Sequence, residues 1–298
     1  DQILVTDHAY RACRAAVEFV AERGGAEVVV AHVPFPVRDA AEITAAILAA
    51  ATGRTRLAMI DHVTSPTALV FPIADIVAAL NERGIDTLVD GAHAPGMVPL
   101  DVTDIGAAYY TGNCHKWLCA PKGAGFLQVR PDRQAGIVPT TISHGAVSDR
   151  TDRSRLQLLF DWVGTADPTP YLAVPVAIDV VGSFLPDGWP GVMTHNHKLA
   201  VAGRDAVCRS LDVPAPVPDA LLGSMAAIPL PDDPNPPAES GMSALQQALF
   251  TDHDIEVPIV TWPAPPHRLV RLSAQLYNTS PEYLDLGYAI GAAVDAGN

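Results

Sequence analysis

Lysine is scarce in this chain. Of its 19 basic residues only Lys116, Lys122 and Lys198 are lysines, and the first two lie in one stretch, YYTGNCHKWLCAPKGAGFL, from Tyr109 to Leu127. An amine can lose its proton and form a Schiff base, whereas a guanidinium cannot. A chain that otherwise relies on arginine but keeps lysine among apolar and small residues therefore indicates that one of these amines has a chemical task.

Positive charge as a whole is also in short supply. The chain has 19 Lys and Arg against 33 Asp and Glu, and its formal net charge is -14 at pH 7. General attraction to nucleic acid or to an anionic membrane needs a basic surface, so neither partner is expected. No apolar run approaches the roughly 20 residues that cross a bilayer, and no membrane span is expected. Small molecules are the partners that we predict.

Cysteine is infrequent too, and the positions of the cysteines do not indicate a disulfide framework. The four cysteines, at positions 13, 114, 119 and 208, show no paired spacing. A disulfide scaffold is therefore not expected, and we predict the reducing cytoplasm as the location. Cys114, His115 and Cys119 carry metal-ligating atoms, but one histidine and two cysteines fall short of the four ligands of a closed zinc site. We predict no metal.

Strand-like runs rich in Val, Ile and Leu alternate with helical stretches in the first half of the chain. The predicted helices are 10–22, 40–51 and 73–82, and a glycine follows each of them. Glycine there is a stop signal, because it can adopt the left-handed backbone that ends a helix. Strand, helix, strand order with continuous apolar strands predicts a mainly parallel sheet buried on both faces, and hence an α/β fold.

The pattern changes a little beyond the middle of the chain. The stretch 167–184 predicts a helix entered through prolines, and 194–211 predicts a second helix. The remainder predicts a strand, a helix, two short strands and a final helix, with a proline-rich loop at 229–237. We predict two domains, a large one over 1–190 and a small α+β one over 191–298.

Polar residues follow the predicted strands. In parallel sheets ligands gather at the carboxyl ends of the strands, so these residues are candidates for one shared crevice. They are Asp7, His8, Asp61, His62, Thr64, Ser65, Asp90, His93, Thr111, Asn113, His115 and Lys116.

Two of these residues have a specific chemical interpretation beside an ordinary one. Lys116 follows a predicted strand among glycine, cysteine and tryptophan, where partial desolvation would lower its pKa and free a nucleophile; a surface lysine is the alternative. Asp90 ends an apolar strand in LVDGAHAPG, where a buried carboxylate needs a partner such as a protonated pyridine nitrogen. A turn or helix-capping aspartate is the alternative for Asp90.

Six separated motifs carry a resemblance to a known family. They are TDHAY, DHVTSPTAL, DGAHAPG, TGNCHKW with PKGAGFL, WVGTADPTPYL and VRLSAQLYN, in that order and over almost the whole chain. Together they resemble the class V aminotransferases, which are pyridoxal-phosphate-dependent enzymes of fold type I. Within that family the chain is most similar to the isopenicillin N epimerase-like branch, which also resembles the cysteine desulfurases.

The resemblance implies a fold, a cofactor and a set of site residues. The fold is a seven-stranded large domain with helices on both faces and a small C-terminal domain. Lys116 would hold pyridoxal 5'-phosphate as a Schiff base and then move the Cα proton, and Asp90 would pair with the pyridinium nitrogen. The other implied contacts are His93 at the phenolic oxygen, His8 stacked on the ring, Asn113 and His115 at the phosphate, Arg271 at the substrate carboxylate, and Thr165 at the phosphate of the partner subunit in a homodimer.

The chain departs from the family pattern in two places. The family has a further segment ahead of DQILVTDHAY, with a small-residue helix start whose N–H groups hold the phosphate, and we expect that N-terminal part of the fold to be missing. Cysteine desulfurases carry a nucleophilic cysteine on a downstream loop, whereas the matching stretch, 232–245, has none. Persulfide chemistry therefore lacks its thiolate, and a desulfurase is not expected.

The chemistry that remains begins when Lys116 removes a Cα proton. Return of a proton to the opposite face gives epimerisation, for which His8 is the suspected second acid, and loss of a β-substituent gives elimination such as C–S cleavage. We predict an epimerase or racemase that acts on an amino acid or aminoacyl peptide. A C–S lyase and an aminotransferase are the alternatives, and a cofactor-free structural or regulatory relative is the alternative from another class.

Overall fold

The structure is a computed structural model that describes residues 1–237 and 241–295. It confirms the predicted α/β class, since a mainly parallel sheet with helices on both faces is joined to a small antiparallel sheet with helices of its own. Residues 238–240, within the cysteine-free stretch 232–245, and residues 296–298, at the end of the predicted second domain, lie outside the described residues.

The first part of the chain supplies the large sheet and its helices. The strands are β1 (Gln2–Thr6), β2 (Glu27–Ala31), β3 (Thr55–Asp61), β4 (Asp86–Gly91), β5 (Tyr109–Asn113) and β6 (Gly125–Val129). The helices are α1 (Arg11–Gly24), α2 (Ala40–Ala50), α3 (Ile73–Glu82), α4 (Val102–Ile105), α5 (Arg155–Asp161), α6 (Thr169–Leu172) and α7 (Val174–Gly182).

The predicted helices of the first half agree with α1, α2 and α3 to within two residues. The single helix predicted over 167–184 is instead divided into α6 and α7. Proline in the first turn of α7 explains the division, because Pro175 has no N–H to continue the hydrogen-bond ladder of α6.

The six strands of the large sheet are ordered β2-β1-β3-β4-β5-β6. β1 to β5 are parallel, and β6 pairs antiparallel with β5. The family resemblance implies seven strands, and the described residues form six. Because β1, β3, β4 and β5 are parallel neighbours, their carboxyl ends lie along one edge, and the predicted site residues follow them there.

Successive side chains of each strand point to opposite faces of the sheet. Leu4, Ile60 and Val89 pack against α2 and α3, whereas Met59 and Leu88 lie on the face that α1 covers. Helices therefore cover both faces. This two-sided burial is the reason that β1 to β4 each contain a run of apolar residues.

The rest of the chain forms a small sheet with three helices. The elements are α8 (Gly188–Ser210), β7 (Met225–Leu230), α9 (Ala244–His253), β8 (Ile259–Thr261), β9 (Arg268–Ser273) and α10 (Ser280–Asp295). The three strands pair antiparallel in the order β7-β9-β8, and α8 packs against α10 and β7. One apolar core runs from Leu4 in the large sheet to Val270 in the small one. The predicted domain boundary at 190/191 falls in the first turn of α8, and the division into two domains stays a prediction.

Two further expectations concern cysteine and membranes. All four cysteines are free thiols. Within 1–237 and 241–295, no helix combines the length and the apolar character that a membrane crossing needs.

Candidate active site

The carboxyl ends of β4 and β5 bring the predicted catalytic residues together. Asp90 lies in β4, His93 lies in the turn that follows it, and Lys116 lies in the loop after β5. Arg271 of β9 reaches the same place from the small sheet, since its charge acts on both Lys116 and His93. Four residues that the sequence predicts therefore meet where the two sheets face each other.

The amine of Lys116 is partly buried, and Nζ lies 3.3 Å from Nε2 of His93. Burial lowers the pKa of Lys116 from its ordinary value; the carboxylate of Asp90 opposes this shift, and the positive charge of Arg271 adds to it. A lowered pKa increases the fraction of the neutral, nucleophilic amine. This is the property that distinguishes a reactive lysine from a surface lysine.

His93 lies between Lys116 and a tryptophan. The indole N–H of Trp117 donates to Nδ1 of His93 at 3.2 Å. Burial, together with the positive charges of Lys116 and Arg271, lowers the pKa of His93 to about 3. The imidazole is therefore neutral near pH 7.

Two carboxyl groups lie side by side at the ends of β3 and β4. Asp61 and Asp90 are paired in register, so both side chains point to the face that α1 covers. Burial raises the pKa of Asp61 well above its ordinary value, and the negative charge of Asp90 raises it further. Oδ2 of Asp61 is buried and has no hydrogen-bond partner among the described residues. Asp90 accepts the backbone N–H of Ala92 at 3.0 Å.

The start of α1 contributes two residues that the sequence interpretation missed. The thiol of Cys13 faces Asp90, and burial together with that carboxylate raises the pKa of Cys13 to about 11. Tyr10, just before α1, is 52% exposed, and its phenol acts electrostatically on Arg271. The signal was the helical spacing, since residues 10 and 13 share one face of a helix that starts at the strand end.

Arg271 is anchored through one nitrogen and unpaired at another. Its Nη1 donates to the carbonyl oxygen of Ser65 at 2.6 Å and to the hydroxyl oxygen of Ser65 at 3.0 Å. Nε is buried and has no partner in the part of the chain that the structure describes. Burial lowers the pKa of Arg271, which still leaves the guanidinium charged. A guanidinium with unused N–H groups in a buried site suits a carboxylate ligand.

His8, which the resemblance assigns to stacking on the cofactor ring, lies among core side chains. Its side chain is fully buried, Nδ1 lies 2.6 Å from Oγ1 of Thr67, and Nε2 lies 2.9 Å from the carbonyl oxygen of Val33. The ring packs on Trp262 with centroids 4.6 Å apart. Both ring nitrogens are therefore engaged inside the core, and the stacking role of His8 stays a prediction.

The residues around Lys116 in the loop after β5 have different environments. Asn113 is the last residue of β5, and His115 hydrogen-bonds through Nδ1 to a backbone carbonyl across the loop at 2.9 Å. Cys114 is buried, whereas Cys119 is exposed. In the described ranges no group of three metal-ligating side chains converges. The predicted phosphate contacts of Asn113 and His115 remain predictions.

A cavity of about 760 Å³ opens between β5, β6 and the segment 156–171. Ligand pockets typically enclose roughly 300–1,000 Å³, so its size suits a small molecule. Asn113 lines it, and so do the residues on either side of Thr165, which is itself exposed. Further lining residues are Thr111, Gly112, Gly125, Phe126, Trp162 and Asp167.

Comparison with curated proteins gives two informative relatives. The chain is 32% identical to putative L-cysteine desulfhydrase 1 from Oryza sativa subsp. japonica, over 100% of this chain and 65% of the relative. It is 34% identical to isopenicillin N epimerase from Streptomyces clavuligerus, over 98% of this chain and 73% of the relative. The chain thus spans about two thirds of the length of the rice relative.

Solved structures show the same fold. Cysteine desulfurase CsdA from Escherichia coli superposes with a TM-score of 0.75 at 18% identity, over 100% of this chain and 73% of that one. The cystine C–S lyase C-DES superposes with a TM-score of 0.73 at 21% identity, over 98% of this chain and 75% of that one. The sequence model of the family Aminotransferase class-V matches residues 1–157. Since that match covers more than half of the chain and both curated relatives exceed 30% identity, the chain belongs to the class V aminotransferase family, as its six motifs predict.

Proposed function

We propose that this chain uses pyridoxal 5'-phosphate to remove the Cα proton of an amino acid. The observation that carries the proposal is the environment of Lys116. Its amine is partly buried, its pKa is lowered, and it lies 3.3 Å from a neutral His93 while the charge of Asp90 acts on it. The same amine is singled out by the scarcity of lysine in the sequence.

The residues present fit that cofactor. Asp90 is an acid at the strand end, where it would hold the ring nitrogen protonated, and Asn113 and His115 would bind the phosphate. Oδ2 of Asp61, beside Asp90, is a buried polar atom that the described chain leaves without a partner, as expected where a polar ligand belongs. When bound, pyridoxal 5'-phosphate supplies an electron-accepting ring that stabilises negative charge at Cα.

Two side chains have separate roles in the reaction, one in binding the substrate and one in proton transfer. Arg271, anchored to Ser65 and with Nε unused, orients the amino acid by its carboxylate. Lys116 in its neutral form takes the Cα proton and becomes an ammonium. The nearby charge of Arg271 favours release of that proton again, because it opposes a second positive charge.

We propose β-elimination with cleavage of a C–S bond as the first candidate for the reaction that follows proton removal. Epimerisation needs a second acid on the opposite face, and both nitrogens of His8, the predicted candidate, are hydrogen-bonded in the core. Elimination of a sulfur leaving group needs one base at Cα, which Lys116 provides. The desulfhydrase name of the rice relative supports this order.

Epimerisation is the second candidate. Tyr10 carries a phenolic proton, is 52% exposed, and acts on Arg271 across the mouth of the site. It is therefore a second proton-bearing group in the right region. The epimerase name of the Streptomyces relative supports this alternative.

Incubation with pyridoxal 5'-phosphate and L-cysteine in deuterated water separates the two reactions. Elimination gives pyruvate, ammonia and sulfide, whereas epimerisation returns cysteine of mixed chirality with deuterium at Cα. A Lys116→Ala variant is expected to give neither outcome, and Tyr10→Phe is expected to affect only epimerisation. An absorbance spectrum that does not change when the cofactor is added would contradict the proposal and favour a cofactor-free relative.

We also propose that the chain acts as a homodimer in the cytoplasm. Leu172 of α6 is 71% exposed, and Val176 and Val180 of α7 are 61% and 48% exposed. Exposed apolar side chains on neighbouring helices are typical of a surface that another protein covers. The exposed Thr165 lies just before these helices, where the resemblance assigns it to the phosphate of a partner subunit. The four free cysteines are consistent with a reducing compartment.

A further inference from the structure

The direction of the hydrogen bonds around His93 follows from one donor, the indole N–H of Trp117. The indole nitrogen of Trp117 carries a hydrogen and can only donate. It lies 3.2 Å from Nδ1 of His93. Nδ1 therefore offers its lone pair, and the single ring proton of the neutral imidazole is on Nε2.

The proton on Nε2 faces Lys116, whose Nζ is 3.3 Å away. An amine accepts a hydrogen bond only when it is uncharged. The Nε2–H tautomer of His93 thus favours the neutral form of Lys116. The opposite tautomer would place a lone pair there and favour the ammonium.

Packing holds the indole in place. Trp117 is 9% exposed and packs in an apolar cluster with Ala94 and Met97. Gly96 has a φ of 83°, and a Cβ built there would lie 2.8 Å from the carbonyl carbon and oxygen of Trp117. The turn after β4 therefore approaches the backbone of Trp117 more closely than any side chain would permit, and the donor stays aligned with His93.

We propose that Trp117 is a positioning residue that selects the Nε2–H tautomer of His93 and so presents a hydrogen-bond donor to the amine of Lys116. This deepens the proposed function and rests on it, because neutral Lys116 is the base that takes the Cα proton. No proton is transferred in this arrangement. The imidazole keeps its proton on Nε2, and the lone pair of Nζ accepts a hydrogen bond from that N–H.

The test uses the cofactor-free chain. Histidine ¹⁵N NMR distinguishes protonated from unprotonated ring nitrogens, and we expect His93 to carry its proton on Nε2. β-(3-Benzothienyl)alanine at position 117 keeps the shape of tryptophan without its N–H. It is expected to shift the tautomer equilibrium roughly three- to tenfold toward Nδ1–H. It is also expected to raise the pKa of Lys116, read from the pH dependence of its reductive methylation.

Two controls make the result specific. 7-Azatryptophan at position 117 keeps the N–H and is expected to restore both readouts. Trp189→Phe removes an indole N–H that donates to the carbonyl of Ile178 at 3.0 Å, and it is expected to leave His93 unchanged. The proposal is overturned by an Nδ1–H tautomer in the native chain, or by an unchanged tautomer in the benzothienyl variant. Because neither readout needs the cofactor, failure to bind pyridoxal 5'-phosphate would contradict only the proposed function.

Discussion

Burial moves three side chains of the site toward their uncharged forms. It lowers the pKa of Lys116 and of His93, and it raises the pKa of Asp61. Asp90 and Arg271 act on the amine of Lys116 in opposite directions, the first raising its pKa and the second lowering it. A zwitterionic amino acid and a protonated ring nitrogen both need an arrangement of this kind, in which an acidic and a basic side chain lie close to a weakly basic amine.

Reduction with borohydride after incubation with pyridoxal 5'-phosphate is expected to leave a pyridoxyl group on Lys116. Lys116→Arg keeps the charge but has no nucleophilic amine, so it is expected to abolish trapping and to lower turnover by about 10²- to 10⁴-fold. Peptide mapping locates the adduct. Lys122→Arg and Lys198→Arg are matched controls that are expected to keep the adduct on Lys116. An adduct on Lys122 or Lys198 of the native chain would contradict the assignment.

His62 is expected to make the fold sensitive to acid. It is buried beside the hydroxyl of Tyr110 at 2.8 Å, and burial lowers its pKa to about 4. The unfolded chain takes up this proton near the ordinary pKa of about 6.5, so the stability is present above that pH and is lost as the pH falls toward 4. The expected loss between pH 7 and pH 5 is about 2 kcal/mol.

Urea unfolding of the native chain and of His62→Gln over pH 5 to 7 measures the contribution of His62 to the pH dependence of the free energy of unfolding. His8 and His93 remain in both proteins, so their contributions cancel in the comparison. Parallel pH profiles for the two chains would show that His62 does not contribute.

At the scale of the elements, local sequence signals predict where helices lie, whereas the direction of a side chain after a strand depends on packing. Glycine stops place the ends of α1 and α3 correctly, since Gly25 and Gly84 have positive φ, whereas α2 ends at an extended Ala51 and is placed by its apolar pattern; both signals are local. His8 and Tyr10 lie in the same motif, TDHAY, and the resemblance favours His8. The structure turns His8 into the core against Val33 and leaves Tyr10 at the mouth, an outcome that depends on packing with Trp262 from a distant part of the chain.

The contact between the turn after β4 and the loop after β5 depends on Gly96. Gly96→Ala would place a Cβ 2.8 Å from the carbonyl atoms of Trp117 at a φ of 83°, so it is expected to destabilise the fold by about 3 kcal/mol. Urea unfolding measures the loss. Gly53→Ala is the control, because a Cβ there meets nothing within 4 Å and a change within about 0.5 kcal/mol is expected. Equal effects of the two substitutions would show that the loops are not in tight contact.

At the scale of the whole molecule, the site is complete only when both sheets are present. Asp90 lies in β4 and Lys116 in the loop after β5 of the large sheet, whereas Arg271 belongs to β9 and is hydrogen-bonded to Ser65 across the junction. Strand and helix patterns predict each part, but no local pattern encodes a contact between residues 206 positions apart. The resemblance supplied Arg271 as a candidate, and the structure supplied its anchor.

Thr165 decides whether two copies of the chain share a site. If Thr165 binds the phosphate in the partner subunit, then in a hybrid dimer Thr165→Val of one chain and Lys116→Ala of the other damage the same site, and the second site stays intact. Mixing the two inactive variants under conditions that exchange subunits is then expected to restore about a quarter of the native activity, because half of the random dimers are hybrids. The neighbours of Thr165 line a cavity together with Asn113 of the same chain, which allows the opposite assignment. In that case each substitution damages the site of its own chain, a hybrid carries no intact site, and mixing restores no activity.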